Sequence, residues 1–102
     1  MNIPINMGVP GYFYMLTNHK RKLLYAGATK DLRKRLVLHK TGYGARFPKR
    51  YGVDVLVYYE KFPDVHDAFL REKQIKNWHK EWKWNLIKTK NPNLEELSDF
   101  ID

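Results

Sequence analysis

The chain has 102 residues, 43% of them hydrophobic and 15% aromatic, enough for one core but not two, so a single domain over 1–102 is expected. It contains no cysteine, which excludes disulfides, thiolate metal sites and cysteine nucleophiles and leaves oxygen or imidazole ligands for any metal. Its 19 Lys and Arg against 11 Asp and Glu give a net charge of +8, a balance that favours polyanionic partners, nucleic acid first among them.

The opening stretch MNIPINMGVPG has neither a basic nor an apolar leader region, and no run approaches the roughly 20 apolar residues of a spanning helix, so a cytoplasmic location is expected. GYFYMLT (11–17) and KLLYAGA (22–28) predict two strands joined by the polar hairpin loop NHKRK. Period-two alternation puts Tyr12, Tyr14 and Leu16 on one face of the first strand and Tyr25 with Gly27 on one face of the second. In a suitable register Tyr14 and Tyr25 become neighbours.

TKDLRKRLVLHKTG (29–42) predicts a helix with Thr29 as N-cap, Asp31 in its first turn and Gly42 just past its end. YGARFPKRYGV (43–53) reads as a basic loop whose Tyr43, Phe47 and Tyr51 either stack on an unpaired base or close the core. VDVLVYYEKF (53–62) predicts the third strand, and PDVHDAFLREKQIKNWHKEW (63–82) the longest helix, with Asp64 as N-cap and Asp67 completing a capping-box-like pattern. KWNLIK (83–88) is a short helix or strand, and NPNLEELSDF (91–100) a last helical turn begun by Pro92 and Asn93. The order ββαβα plus a C-terminal element implies an α+β fold, a small three-stranded, mostly antiparallel sheet flanked by helices.

Two helices carry ionisable residues where apolar ones are expected. Val65, Ala68 and Phe69 define a stripe whose next member is Glu72, with Ile75 and Trp78 at its edge. A buried carboxylate costs several kcal/mol unless it is paired, hydrogen-bonded or holding a cation, and an ion pair with Arg35 or with the surroundings of Arg71 is the structural alternative. On the first helix, Leu32 and Leu36 define a stripe that Arg35 and His39 join from the side, while Lys34 points away and Val37 and Leu38 fall off it. With Tyr14 and Tyr25 these residues are the parts of phosphoryl transfer. Arginine suits a phosphate oxygen, a carboxylate suits a divalent ion, and phenol or imidazole suits the proton of water.

The same residues carry a family resemblance. The chain resembles the GIY-YIG nuclease superfamily, in particular the small single-domain proteins related to the nuclease domain of the bacterial excinuclease C subunit. The first signature aligns on YFY (12–14) and the second on YAG (25–27). Arg35 and His39 match the arginine and histidine of the next helix, and Glu72 matches the metal-binding glutamate. The likeness covers a core of about 11–97. Tyr12 and Phe13 replace the glycine and isoleucine of the first signature, and Ala26 replaces the isoleucine of the second. Asn85 is the nearest match to a later family asparagine.

The resemblance implies a divalent-metal-dependent endonuclease that hydrolyses DNA phosphodiesters with one ion, Mg²⁺ or Mn²⁺, on Glu72. It implies that Tyr25 deprotonates or orients water with Tyr14 beside it, that Arg35 holds the scissile phosphate, and that His39 assists with proton or phosphate. Branched, nicked or damaged duplexes are the expected substrates, in a role such as DNA repair and with low sequence specificity. Lys30, Lys34, Lys40, Arg46, Lys49, Arg50, Lys73 and Lys76 flank the set as candidate DNA-backbone contacts, and Gly27 is expected to keep the approach to Tyr25 open. Two rivals stand beside this reading: a nucleic-acid-binding module of the same fold with weak or no cleavage, and a small basic domain that works through a protein partner.

Overall fold

The computed structural model describes residues 8–41 and 52–101 of the chain. In chain order it has β1 (Gly11–Asn18), β2 (Leu24–Thr29), α1 (Leu32–Thr41), β3 (Val53–Phe62), α2 (Val65–Lys76), α3 (Lys80–Lys90) and a 3-10 turn (Ser98–Phe100). The three aromatic and β-branched segments pair as one antiparallel sheet in the order β2-β1-β3, the α+β arrangement expected. No helix among the described residues is long and apolar enough to cross a membrane.

The central strand β1 is apolar on both faces because both faces are covered. On one side Tyr12, Tyr14 and Leu16 pack with Leu32 and Leu36 of α1 and with Ile101; on the other, Phe13 and Met15 pack with Ile75 of α2 and Ile87 of α3. Strand β2 is therefore an edge flanked by α1 on one face and α2 on the other. Gly11 opens β1 directly against α2, where a Cβ would lie 2.6 Å from the Val65 Cα.

Several local expectations are corrected. The side chain that caps α1 belongs to Asp31, which accepts from the Lys34 N–H at 3.1 Å; Thr29 instead accepts from the Asp31 N–H, one step before the helix. Asp64 does cap α2, but it accepts from His66 N–H at 2.9 Å, and no reciprocal Asp67 side-chain bond closes the box among the described residues. The expected long helix is two. Asn77 ends α2, donating its N–H to Gln74 and Ile75 carbonyls, and His79, extended at ψ 149°, begins α3. The break is a packing requirement. A straight helix would carry residue 87 about 18 Å past residue 75, whereas both isoleucines enter one core. KWNLIK thus belongs to α3, and Pro92 and Asn93 form a turn, the last helical turn starting only at Ser98.

A further anchor comes from a carboxylate that the strand pattern did not single out. Glu60 of β3 takes both Arg71 Nε (2.9 Å) and Nη2 (3.0 Å) and also accepts from the Tyr58 hydroxyl, while the Arg71 guanidinium lies 5.6 Å from the Trp78 ring centre. Burial pushes Glu60 up, but these hydrogen bonds and the Arg71 charge outweigh it and hold the carboxyl below the usual range. This fork ties α2 to β3.

The C-terminal segment is held by Asn91, whose buried amide donates to the carbonyls of Val57 (3.0 Å) and Glu95 (2.9 Å) and accepts from Glu95 N–H. Asn91→Ala leaves these backbone groups unpaired and should cost about 1–3 kcal/mol, read as a lower urea midpoint with an unchanged slope.

Candidate functional site

The edge of β2 between the two flanking helices opens a cleft of about 880 Å³. Tyr14, Tyr25 and Gly27 form its floor; Lys30, Asp31, Lys34, Arg35 and Leu38 line it from the β2–α1 turn and α1; Val65, Phe69 and Glu72 line it from α2. Tyr14, Tyr25, Arg35 and Glu72 thus come together from four elements, although the sequence separates the outermost of them by most of the chain.

Register explains the floor. Tyr14 pairs with Gly27 and Leu16 with Tyr25, so the two tyrosines are diagonal neighbours with ring centres 6.3 Å apart. The Tyr14 phenol folds across Gly27, where a Cβ would lie 2.5 Å from Oη and 2.6 Å from Cζ. The space at residue 27 therefore belongs to Tyr14. Gly27 also lines the cleft beside Tyr25.

His39 is absent from the cleft lining and lies behind it, 1% exposed, with Nε2 and Tyr14 Oη sharing a hydrogen bond of 3.0 Å and its ring centre 5.4 Å from that of Tyr25. Among the described residues its Nδ1 finds no partner. Burial, then the Arg35 charge, lowers His39 to about 4. Burial, followed by Tyr25, raises the Tyr14 hydroxyl well above the ordinary phenol range. At neutral pH the pair is a neutral imidazole against a neutral phenol.

The stripe on α2 divides between two environments. Ala68 and Ile75 are buried, whereas Phe69 is 49% exposed and turns with Glu72 to the cleft. Glu72 is not buried but half-buried, its side chain 21% exposed, and its Oε2 lies 2.6 Å from Lys76 Nζ one turn on. Its ion pair is thus local, with neither Arg35 nor the surroundings of Arg71. Off the α1 stripe, Leu38 lines the cleft and Val37 is left exposed.

Of the basic residues, Lys30 and Lys34 line the cleft, Lys40 and Lys73 are exposed outside its lining, and Lys76 is held by Glu72. Arg46, Lys49 and Arg50, with Gly42 and the aromatics Tyr43, Phe47 and Tyr51, lie outside the described residues. Asn85 is on α3 in a separate depression with Arg21, Glu81 and Lys88, away from the cleft. Phe69 was hidden by the apolar pattern itself. Its spacing to Glu72 was the available signal, since both stand on the same stripe.

Among the described residues no three His, Asp or Glu side chains gather as a metal cage. Glu72 alone still suits a hard ion that keeps several waters and takes further oxygens from a phosphate, the habit of Mg²⁺. Its place in the cleft lining and its partial exposure are compatible with this.

A family model described as the GIY-YIG catalytic domain matches residues 10–92. The UPF0213 protein CPE1444 of Clostridium perfringens is 38% identical over 91 residues, spanning 89% of this chain and 97% of that protein. A UPF0213 protein of Pediococcus pentosaceus is 30% identical over 97 residues, spanning 95% and 99%. The solution NMR structure of the UPF0213 protein BH0048 from Bacillus halodurans superposes with a TM-score of 0.54 at 28% identity, covering 85% of this chain and 92% of that one.

A histidine held near 4 against an ordinary 6.5 makes folding acid-sensitive. The unfolded chain binds the proton first, so stability present above pH 6.5 is lost as pH falls towards 4, by up to about 3 kcal/mol. Urea unfolding across this window should show that slope in the native chain and its reduction in His39→Gln. Gly27→Ala should displace the Tyr14 ring and cost about 1–3 kcal/mol, visible in the urea midpoint and in the near-ultraviolet tyrosine signal.

Proposed function

Because the chain belongs to the GIY-YIG family, a family of nuclease domains, we propose that it is a divalent-metal-dependent endonuclease hydrolysing DNA phosphodiesters at the β2-edge cleft. The observation that carries this reading is the convergence of Tyr14, Tyr25, Arg35 and Glu72 on one cleft with Lys30 and Lys34 at its wall. Phenol, guanidinium and carboxylate are what an in-line attack of water on a phosphodiester requires, and Arg35 and Glu72 stand outside the core clusters that hold Tyr14.

Arg35 holds a non-bridging oxygen of the scissile phosphate and opposes the charge that develops on it. Tyr25 orients the attacking water through Oη; to take its proton it must act as the phenolate, having first released its own phenolic proton to solvent through the open cleft. Glu72 would hold one Mg²⁺ or Mn²⁺, which would supply charge stabilisation to the reacting phosphate. Lys76 keeps the carboxylate in place.

Tyr14 serves as a hydrogen-bond donor and leaves the base's part to Tyr25, since burial keeps its phenol protonated. His39 sets the direction of that donor. An unpaired buried N–H is costlier than an unpaired lone pair, so the Nδ1 without a partner is the bare nitrogen and Nε2–H donates to Tyr14 Oη. The Tyr14 proton is then directed away from His39. His39 is in this reading a positioning residue; it does not touch phosphate.

The groups facing the substrate address its backbone, so sequence specificity is low, and branched, nicked or damaged DNA fits an open cleft better than regular duplex. The test is incubation of the purified protein with branched, nicked, single-stranded and duplex DNA plus Mg²⁺ or Mn²⁺. The native chain should cut, a chelator should stop it, and Arg35→Ala and Glu72→Gln should each lower the rate by about 10²–10³-fold with unfolding midpoints retained. Activity that survives in Glu72→Gln would remove the mechanism.

A further inference from the structure

The cleft is chemically divided. The β2–α1 side presents Lys30, Lys34 and Arg35 beside Asp31, whose carboxylate caps α1, while the α2 side presents Val65, Glu72 and Phe69, a residue 49% exposed. Cations answer a phosphate; an exposed aromatic face does not. Phe69 stands one turn from Val65, which is buried, and one turn from Glu72, the carboxylate assigned to the ion, so its ring flanks the reacting centre.

A nucleotide divides in the same way, into an anionic phosphate and a base with an apolar π-face. In a regular duplex that face is covered by neighbouring bases. Only an unpaired or unstacked base can turn it towards a side chain while its own phosphate stays against the cationic wall.

We propose that Phe69 is a stacking platform for an unpaired nucleobase beside the scissile phosphate, and that it makes the cleft select single-stranded or locally unpaired nucleic acid. The inference rests on the nuclease reading for the identity of the phosphate site and adds the substrate class. It is compatible with low sequence specificity, because every base has a π-face.

The test measures binding, not cutting. The full chain, with chelator present, is titrated with 2-aminopurine-labelled single-stranded DNA, the same sequence as single-stranded RNA, and perfect duplex DNA. The native chain should prefer one or both single strands over duplex and quench the 2-aminopurine. Phe69→Ala should weaken single-strand binding by roughly tenfold, relieve the quenching and leave duplex binding unchanged, while Phe69→Trp should retain both signals. Phe69→Leu, which keeps apolar bulk without a π-face, should behave as Phe69→Ala and carries the test should the alanine variant not fold. Equal affinity of the native chain for single strand and duplex, or undiminished quenching in Phe69→Ala or Phe69→Leu, overturns the proposal. Absence of cleavage with Mg²⁺ or Mn²⁺ would instead overturn the nuclease reading and leave this binding result standing on its own.

Discussion

The phenol of Tyr14 lies where the side chain of residue 27 would be, and much of the site follows from that contact. It demands glycine on the neighbouring strand, sets the two strands in the register that brings Tyr25 diagonally beside Tyr14, and leaves the hydroxyl facing His39 on α1. One ring thereby couples three consecutive elements. Because the ring is buried, its hydroxyl stays protonated and its histidine partner stays neutral, so the interior behind the cleft carries dipoles and no charge.

Charge is kept at the cleft wall, where water and substrate can answer it. Arg35 and Glu72 reach the opening from helices on opposite faces of the sheet, which meet around the edge strand β2. The two carboxylates near α2 differ in what they meet. Glu60 is enclosed by an arginine fork and a tyrosine, a saturated structural arrangement; Glu72 meets one flexible lysine and the cleft, an arrangement with coordination left over.

Local pattern carried far in some places and failed in identifiable others. The third strand appears with the bounds read from VDVLVYYEKF, since a β-branched, aromatic run between breakers has few alternatives. The long helix failed because Asn77 to His79 contain no glycine or proline, and the turn there is imposed by Ile75 and Ile87 sharing a core. Phe69 was assigned to the core by the same rule that singled out Glu72: a stripe reports a shared helix face without saying whether that face meets sheet or cleft. Asn85 was an offset in sequence, and α3 carries it to another surface.

By itself the sequence determined the three strands, the helix that follows the second of them, the start of the helix after the third, and the set of residues that break the binary pattern, because these depend on periodicity and on chemistry that neighbours in the chain already specify. Only the tertiary structure decided which of those residues share a space. His39 went behind the site, Phe69 and Leu38 came to its walls, and Gly27 proved to make room for a tyrosine. Burial, register and helix direction are set by contacts between segments far apart in the chain, and no local pattern encodes them.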